Sequence, residues 1–369
     1  MPVMLNTNLI SRILRAFAIA CGSVFPLLLI TALSPVAVKA QGDKTQEPTE
    51  VIKVYSNLVS VPVIVSDREG HYISGLNEQD FKLYDNSAEQ KLAYFDAAEA
   101  PLNVALLLDT SRSTEGVIDD IRKAAKNFLK QLRPQDRAMI VSFDYGIHKL
   151  SPLTSDRKIL ERAIKDAEVG EYFGTMLNDA LIEVIDKDLK PVNGRKAIVL
   201  LTDGEDAGSR VSADEVLDYA TESDAMIYSI YYASNPGRGI FRNRPFPRGG
   251  GIFGRRGPMQ DRFPRQRGPR AQQRQDRQER RGEFAIEFLT RLSEVSAGRF
   301  YNSETADLKQ TFTLIADELR NQYRLGFYPD ALARDGSLHR LKVKVDKPEV
   351  AVRARTQYRA TGLSSSQKN

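Results

Sequence analysis

Apolar runs and amphipathic segments alternate through the middle of the chain. Residues 103–108 and 196–201 form continuous runs of the length expected for buried parallel strands. Residues 116–132 and 176–189 carry apolar side chains at helical spacing. The same patterns predict strands at 137–144, 147–153, 225–233 and 299–301 and helices at 156–167, 212–223, 284–297 and 307–321. This alternation predicts an α/β domain with a doubly wound, mostly parallel sheet.

The two flanks of this region follow a β pattern instead. Alternate positions from 59 to 65 hold valine, and turns separate the short strand-like runs that follow at 81–84 and 92–95. Each flank is small for an independent sandwich. We therefore predict that both flanks form one small β-sandwich into which the α/β domain is inserted; two unrelated β decorations are the alternative. The C-terminal flank supplies strands at 323–328, 339–345 and 350–358.

These patterns divide the chain into consecutive segments. Composition separates the two ends from the folded part, and the change from β to α/β pattern sets the inner bounds. The predicted segments are a signal peptide at 1–40, a linker at 41–50, an N-terminal β segment at 51–100, the α/β domain at 101–322, a C-terminal β segment at 323–360 and a tail at 361–369.

The first apolar run of the α/β domain ends in Asp109-Thr110-Ser111-Arg112-Ser113, an Asp-x-Ser-x-Ser pattern with one acid and two serine hydroxyls at alternate positions. In open α/β sheets, ligands bind at the carboxyl ends of the strands. One carboxylate and two neutral oxygens in a single turn suit a hard cation such as Mg²⁺ or Mn²⁺. Short turns of this composition also cap helices, so that helix capping is the alternative for this motif alone.

Two later motifs favour the metal hypothesis. Thr175 precedes a predicted helix, and Thr202-Asp203-Gly204-Glu205 ends the second apolar run. Together the three motifs resemble the von Willebrand factor A domain with its metal-ion-dependent adhesion site. The resemblance covers about residues 101–323, including the order of strands and helices, and it makes 147–153 the short antiparallel edge strand.

The resemblance implies a metal site and a mode of binding. Carried over by position, the metal ligands are Asp109, Ser111, Ser113, Thr175 and Asp203, around Mg²⁺ or Mn²⁺. In this family one metal position stays open for an acidic side chain of a protein partner. The donor set agrees, because two carboxylates only balance the two positive charges of the ion and three hydroxyls add none, so the ion stays electrophilic toward an incoming carboxylate.

Positive charge is concentrated in one interruption of the α/β pattern, at 237–283. Fourteen arginines against three acids give 237–281 a net charge of +11, and removing this segment and 1–40 from the overall +5 leaves −9. The segment is rich in Gly, Pro, Arg and Gln and is predicted to be disordered. Two interpretations remain open: a passive solvated loop, or a site for an anionic envelope polymer, lipid headgroups or acidic proteins.

The N-terminus is typical of an export signal. Arg12 and Arg15 precede an apolar stretch at 16–33, and small residues around Lys39 precede a cleavage point at Gln41. Cleavage would leave no membrane span and no cysteine, because Cys21 is the only one. Export predicts a periplasmic or extracellular protein and disfavours nucleic acid as a partner. A membrane anchor formed by an uncleaved signal is the alternative.

Catalytic motifs are largely missing from the sequence. It contains neither a nucleophile elbow nor a phosphate-binding P-loop, and its three histidines fall in predicted sheet or hairpin positions. Folds that use the first-strand aspartate in phosphoryl transfer place a second aspartate where this chain has Ser111. We therefore predict an exported binding protein for adhesion or envelope complex assembly, and not an enzyme. A scaffold whose metal stabilises loops and a metal-dependent hydrolase are the alternatives.

Overall fold

In the computed structural model, the described residues are 58–232, 269–303, 307–329 and 336–360, with only the backbone described at 269–278. The predicted signal peptide, linker and tail lie outside these residues, as do residues 237–268 of the basic segment 237–283, called the Arg-rich segment below. None of the helices in the described ranges is long and apolar enough to cross a membrane.

The order of elements follows the predicted change from β to α/β and back to β. The strands are β1 (Val59–Ser66), β2 (Phe81–Asp85), β3 (Ala88–Gln90), β4 (Tyr94–Asp96), β5 (Leu102–Asp109), β6 (Arg137–Phe143), β7 (Ile147–Lys149), β8 (Arg195–Thr202), β9 (Met226–Tyr231), β10 (Arg299–Asn302), β11 (Tyr323–Phe327), β12 (Leu338–Val345), β13 (Ala351–Ala354) and β14 (Gln357–Arg359). The helices are α1 (Ile118–Gln131), α2 (Arg157–Asp166), α3 (Leu177–Ile182), α4 (Ala213–Glu222), α5 (Pro269–Val295) and α6 (Leu308–Arg320).

The α/β domain is built on a six-stranded sheet in the order β10-β9-β8-β5-β6-β7. Its strand pairs are parallel except for β7, which pairs antiparallel with β6 at the edge. Every residue of β5 and β8 is buried, because α1, α2 and α6 cover one face of the sheet and α3, α4 and α5 the other. The predicted doubly wound, mostly parallel sheet is confirmed.

The two flanks join in a β-sandwich of two four-stranded sheets, ordered β13-β1-β11-β4 and β14-β12-β2-β3. Each sheet combines strands from both flanks: Val59 of β1 lies opposite Phe327 of β11, and Phe81 of β2 lies opposite Val345 of β12. The alternating valines of β1 pack with Leu83, Leu325 and other apolar residues between the sheets. The prediction of one sandwich with the α/β domain inserted is confirmed.

The predicted strand at 350–358 is wrong in one respect, because the structure has two strands there. β13 pairs with β1 in one sheet, whereas β14 pairs with β12 in the other. Between them, buried Arg355 donates to the carbonyl oxygens of Thr221 and Ser223 at the end of α4. This anchor lies where the chain passes from one sheet to the other, a change that strand alternation alone does not reveal.

The helix predicted from Phe284 begins at Pro269 and extends into the segment predicted to be disordered. The physical reason is local, since residues 271–281 contain neither Gly nor Pro and are rich in Arg and Gln, which favour helix. The predicted helix at 176–189 also differs in detail, because it continues after α3 as a π-helical segment, Glu183–Leu189.

A buried carboxylate joins the α/β domain to the sandwich. Glu318 of α6 accepts hydrogen bonds from the Tyr228 hydroxyl at 2.7 Å and from the Tyr72 hydroxyl at 3.0 Å. It also forms ion pairs with Arg353 of β13 and with Arg299, the latter at 3.3 Å. A charge buried in this way is tolerated only when it is paired and hydrogen-bonded. These four donors hold the Glu318 carboxylate in place and thereby link the α/β domain to the sandwich.

We expect Glu318→Ala to lower the free energy of unfolding by about 3–5 kcal/mol, because it leaves the Arg353 guanidinium and the two tyrosine hydroxyls without their acceptor. Urea denaturation followed by circular dichroism measures the change. The neighbouring Asp317→Ala removes only a partly exposed pair with Arg320 and should cost less than about 1 kcal/mol. Equal losses in the two variants would contradict a stabilising role for the buried cluster.

Candidate metal centre

The two strands that carry the predicted acids are neighbours. β5 and β8 pair in parallel, with Leu108 opposite Leu201. Asp109 is the last residue of β5, and Asp203 follows the last residue of β8. Because parallel strands of one sheet end on the same side, both acids lie at the edge where the parallel strands have their carboxyl ends, here called the carboxyl rim.

Asp109 is fully buried and held by three hydrogen bonds. Its Oδ1 accepts from the Ser111 amide at 2.9 Å and from Ser111 Oγ at 2.5 Å, and its Oδ2 accepts from Thr202 Oγ1 at 2.7 Å. Burial, and next the negative charge of Asp203, raise the pKa of the Asp109 carboxyl. Two like charges so placed are unfavourable together, and a cation between them would remove this cost.

Ser111 and Ser113 continue the same hydrogen-bonded group. Their Oγ atoms lie 2.9 Å apart. A single 3₁₀ turn, Arg112–Thr114, follows Ser111 and brings the second hydroxyl back toward the first. The Thr114 hydroxyl fixes this turn by donating to the Ser111 carbonyl at 2.7 Å. The structure therefore brings Asp109, Ser111 and Ser113 together, with side-chain oxygens in contact.

Asp203 provides the test of whether a cation fits here. The residue is buried, and its Oδ1 accepts from the Glu205 amide at 3.2 Å. Its Oδ2 is buried and has no hydrogen-bond partner among the described residues. A buried carboxylate oxygen normally finds a donor or a metal. The unpartnered oxygen and the all-oxygen donor set therefore fit a hard divalent cation.

A backbone hydrogen bond places Thr175 beside the loops of the carboxyl rim. It is buried in the loop before α3, and its carbonyl accepts from the Ala207 amide at 3.0 Å, which ties it to the loop that follows Asp203. The Gly170 amide donates to the Thr110 carbonyl at 2.8 Å, which ties the start of the same loop to the turn after β5. The three motifs are thus bound into one group of loops. The metal-binding role of the five residues stays a prediction.

Two further residues at the site had no role in the sequence prediction. Thr202 donates to Asp109 and accepts from the Gly204 amide at 2.9 Å, so its hydroxyl joins the two acidic loops. The buried hydroxyl of Tyr232 has no hydrogen-bond partner among the described residues; burial, and then Asp109 and Asp203, raise its pKa. Adjacency to Asp203 was the only sequence signal for Thr202, and none marked Tyr232.

The three histidines occupy a turn and two strands. His71 also belongs to a second group of potential metal ligands, with Asp67 and Glu69 in the turn after β1, whose ligand atoms lie within 4.8 Å of one another. Its Nδ1 already contacts Asp67 at 3.0 Å, and the turn is largely exposed. The partners of the histidines are Asp67 for His71, Asp144 for His148 at 3.0 Å, and Asp85 for buried His339 at 2.9 Å.

Comparison with known families agrees with the fold of this region. A family model described as von Willebrand factor type A domain matches residues 104–205, from β5 to the loop that carries Asp203. No curated protein matches the chain.

Several solved structures resemble the fold at low identity. BatB from Bacteroides thetaiotaomicron is 16% identical, with a TM-score of 0.40 over 59% of this chain and 97% of that one. The von Willebrand domain of the type V pili tip protein Mfa5 from Porphyromonas gingivalis is 18% identical, with a TM-score of 0.35 over 59% and 94%. Proximal thread matrix protein 1 from the mussel byssus, in a form with zinc in its adhesion-site motif, is 13% identical, with a TM-score of 0.43 over 63% and 48%.

We expect Thr202→Val to weaken Mg²⁺ binding by about 10- to 100-fold, because a residue that orients a metal ligand by a hydrogen bond contributes on that scale. Isothermal titration calorimetry measures the affinity. Thr110→Val is the matched control: it makes the same change at a buried position whose hydroxyl donates to the Phe143 carbonyl. If both variants bind Mg²⁺ like the unaltered protein, Thr202 does not orient Asp109 for a metal.

Proposed function

Given that the chain carries a von Willebrand factor type A domain, we propose that it is a metal-dependent protein-binding module that acts in adhesion or in assembly of complexes in the cell envelope. The observation that carries the proposal is the pair of buried carboxylates at the carboxyl rim, with Asp203 Oδ2 unpartnered among the described residues. Mg²⁺ or Mn²⁺ would be held by Asp109, Ser111, Ser113, Thr175 and Asp203.

The bound ion would supply a positive centre for one carboxylate of a protein partner. The chain's own residues define the rest of the interaction. Asp109 and Asp203 provide the two negative charges, and the Ser and Thr hydroxyls add none, so the proposed site keeps an attraction for an acidic group. Thr202 and the Ser111 amide hold the Asp109 carboxylate in position. We propose binding without turnover, since Ser111 stands where phosphoryl transfer needs a second acid.

The proposed location is outside the cytoplasm, in the periplasm or beyond the cell. It rests on the signal-like composition of residues 1–40. The Arg-rich segment adds a second proposed contact. β9 runs parallel to β8, so the chain leaves β9 toward 233 at the carboxyl rim that carries Asp203. The net charge of +11 over residues 237–281 would attract an acidic partner or an anionic envelope polymer toward the same face.

We expect Asp109→Ala to abolish Mg²⁺ and Mn²⁺ binding and, with it, metal-dependent capture of partner proteins. Calorimetry measures the first, and affinity capture from native envelope extract with Mg²⁺ or with EDTA measures the second. Asp144→Ala, which removes a carboxylate from the end of the neighbouring β6–β7 hairpin, serves as the control and should retain both properties. Proteins retained equally in EDTA, or by Asp109→Ala, would refute the proposed function. Thermal stabilisation by Mg²⁺ without capture would favour a loop-stabilising ion.

We expect deletion of 237–268, which leaves α5 intact, to slow association with poly-L-glutamate by at least about tenfold at low salt, because tethered positive charge speeds encounter with anions. Stopped-flow measurements at two salt concentrations test this, since salt should remove the difference. The Mg²⁺ affinity, which depends on other residues, is the internal control. Overlapping rates for the two proteins at low salt would assign the segment a passive role.

A further inference from the structure

Three exposed aromatic side chains lie in the loops of the carboxyl rim, and we call them the rim aromatic patch. Tyr145 is 61% exposed, Tyr172 71% and Phe173 80%. Tyr172 and Phe173 are the most exposed large apolar residues in the described part of the chain. Water contact with this much aromatic surface is unfavourable. Clustered exposed apolar surface of this kind commonly marks a binding site.

The patch is held in place by specific contacts. The Arg112 guanidinium lies 4.5 Å from the centre of the Phe173 ring, a cation–π contact. The Tyr145 and Tyr172 rings lie 6.4 Å apart and are inclined by 50°. Gly174 has a φ of +136°, and a Cβ there would approach Tyr145 at 2.9 Å. Only glycine therefore lets the loop follow Tyr145 this closely.

The patch is continuous with the proposed metal ligands. Arg112 lies between Ser111 and Ser113 in the sequence, and its guanidinium contacts the Phe173 ring. Phe173 precedes Thr175 by two positions, and Thr175 is tied to the loop after Asp203. A partner whose carboxylate lies at the metal site would therefore place its adjacent side chains against the aromatic rings.

The charge and composition of the patch indicate a protein partner. Arg112 forms no ion pair with the described residues, so its positive charge remains available beside the proposed metal site. Tyr, Phe and Arg are the residue types enriched where protein interfaces concentrate their binding energy. The Tyr145 and Tyr172 rings are inclined by 50° and Arg112 lies over one face of Phe173, so the three rings form no common flat platform.

Building on the proposed function, we propose that the rim aromatic patch and Arg112 determine partner specificity: they select protein segments in which a large apolar side chain lies next to the metal-binding Asp or Glu. The carboxylate would meet the metal and the Arg112 guanidinium. The neighbouring apolar side chain would bury the exposed faces of Tyr172 and Phe173. Two contacts of different chemistry side by side favour such a segment over an isolated acidic residue.

The experiment uses the full chain and displayed short peptides with a fixed central Asp and random neighbours, selected in Mg²⁺ and in EDTA. We expect Mg²⁺-dependent enrichment of Phe, Tyr, Trp, Leu or Ile beside the Asp. The double variant Tyr172→Ser/Phe173→Ser should lose this preference and bind the selected peptides at least about tenfold more weakly, as expected for residues at an interface centre.

Two controls separate this preference from general effects. Tyr328→Ser changes a 52% exposed tyrosine at the end of β11 in the sandwich and should select the same peptides as the unaltered chain. Because neither Tyr172 nor Phe173 is a proposed metal ligand, calorimetry with Mg²⁺ checks that the double variant retains the metal site. A second variant, Arg112→Gln, tests the guanidinium alone and should weaken peptide binding with the aromatic rings present.

The outcomes separate failure of this inference from failure of the proposed function. Mg²⁺-dependent Asp peptides without apolar neighbours, or an unchanged preference in the double variant, would overturn the specificity role and leave metal-dependent binding intact. Peptides that bind equally in EDTA, or none that bind in Mg²⁺, would overturn both. Glycans that bind the unaltered chain and not the double variant would assign the patch to carbohydrate and overturn the protein-partner inference.

Discussion

The parallel pairing of β5 with β8 is the constraint on which the candidate site depends. It places Asp109 and Asp203 at the ends of adjacent strands, where both are buried. The Thr202 hydroxyl and the Ser111 amide stabilise the Asp109 charge, whereas one oxygen of Asp203 has no partner among the described residues. Two buried carboxylates with incomplete hydrogen bonding are costly in an isolated protein. The arrangement is physically reasonable as half of a site that a cation completes.

The sandwich joins the α/β domain at the opposite rim. β5 begins soon after β4, and β11 follows α6, so both chain connections lie where the parallel strands begin. Arg195, the first residue of β8, donates to the carbonyls of Leu319 and Gln322 at the end of α6. Glu318 adds its cluster of donors at the same junction. These contacts hold the two parts together at the end of the parallel strands opposite the carboxyl rim.

Under the proposed function, three kinds of attraction would act on a partner at the carboxyl rim. The proposed cation offers a strong and unspecific affinity for carboxylates, which many acidic surfaces could satisfy. The rim aromatic patch would add shape and apolar character, and the positive charge of residues 237–281 would add long-range attraction. In this arrangement the positive charge would raise the association rate of acidic partners. The rim aromatic patch would determine which partners dissociate slowly.

Sequence alone determined the elements whose signal is local. The apolar runs of β5 and β8, the helical spacing of α1 and the alternating valines of β1 reflect burial that each segment undergoes wherever it packs, so their pattern is visible without the fold. The motif positions likewise predicted that the side-chain oxygens of Asp109, Ser111 and Ser113 lie together. Only the tertiary structure decided features made by distant contacts: the passage between sheets at Arg355, the Thr202 bond to Asp109, and the rim aromatic patch. Each of these features depends on segments that are far apart in the chain and come together only when the strands pair. Local sequence patterns therefore do not predict them.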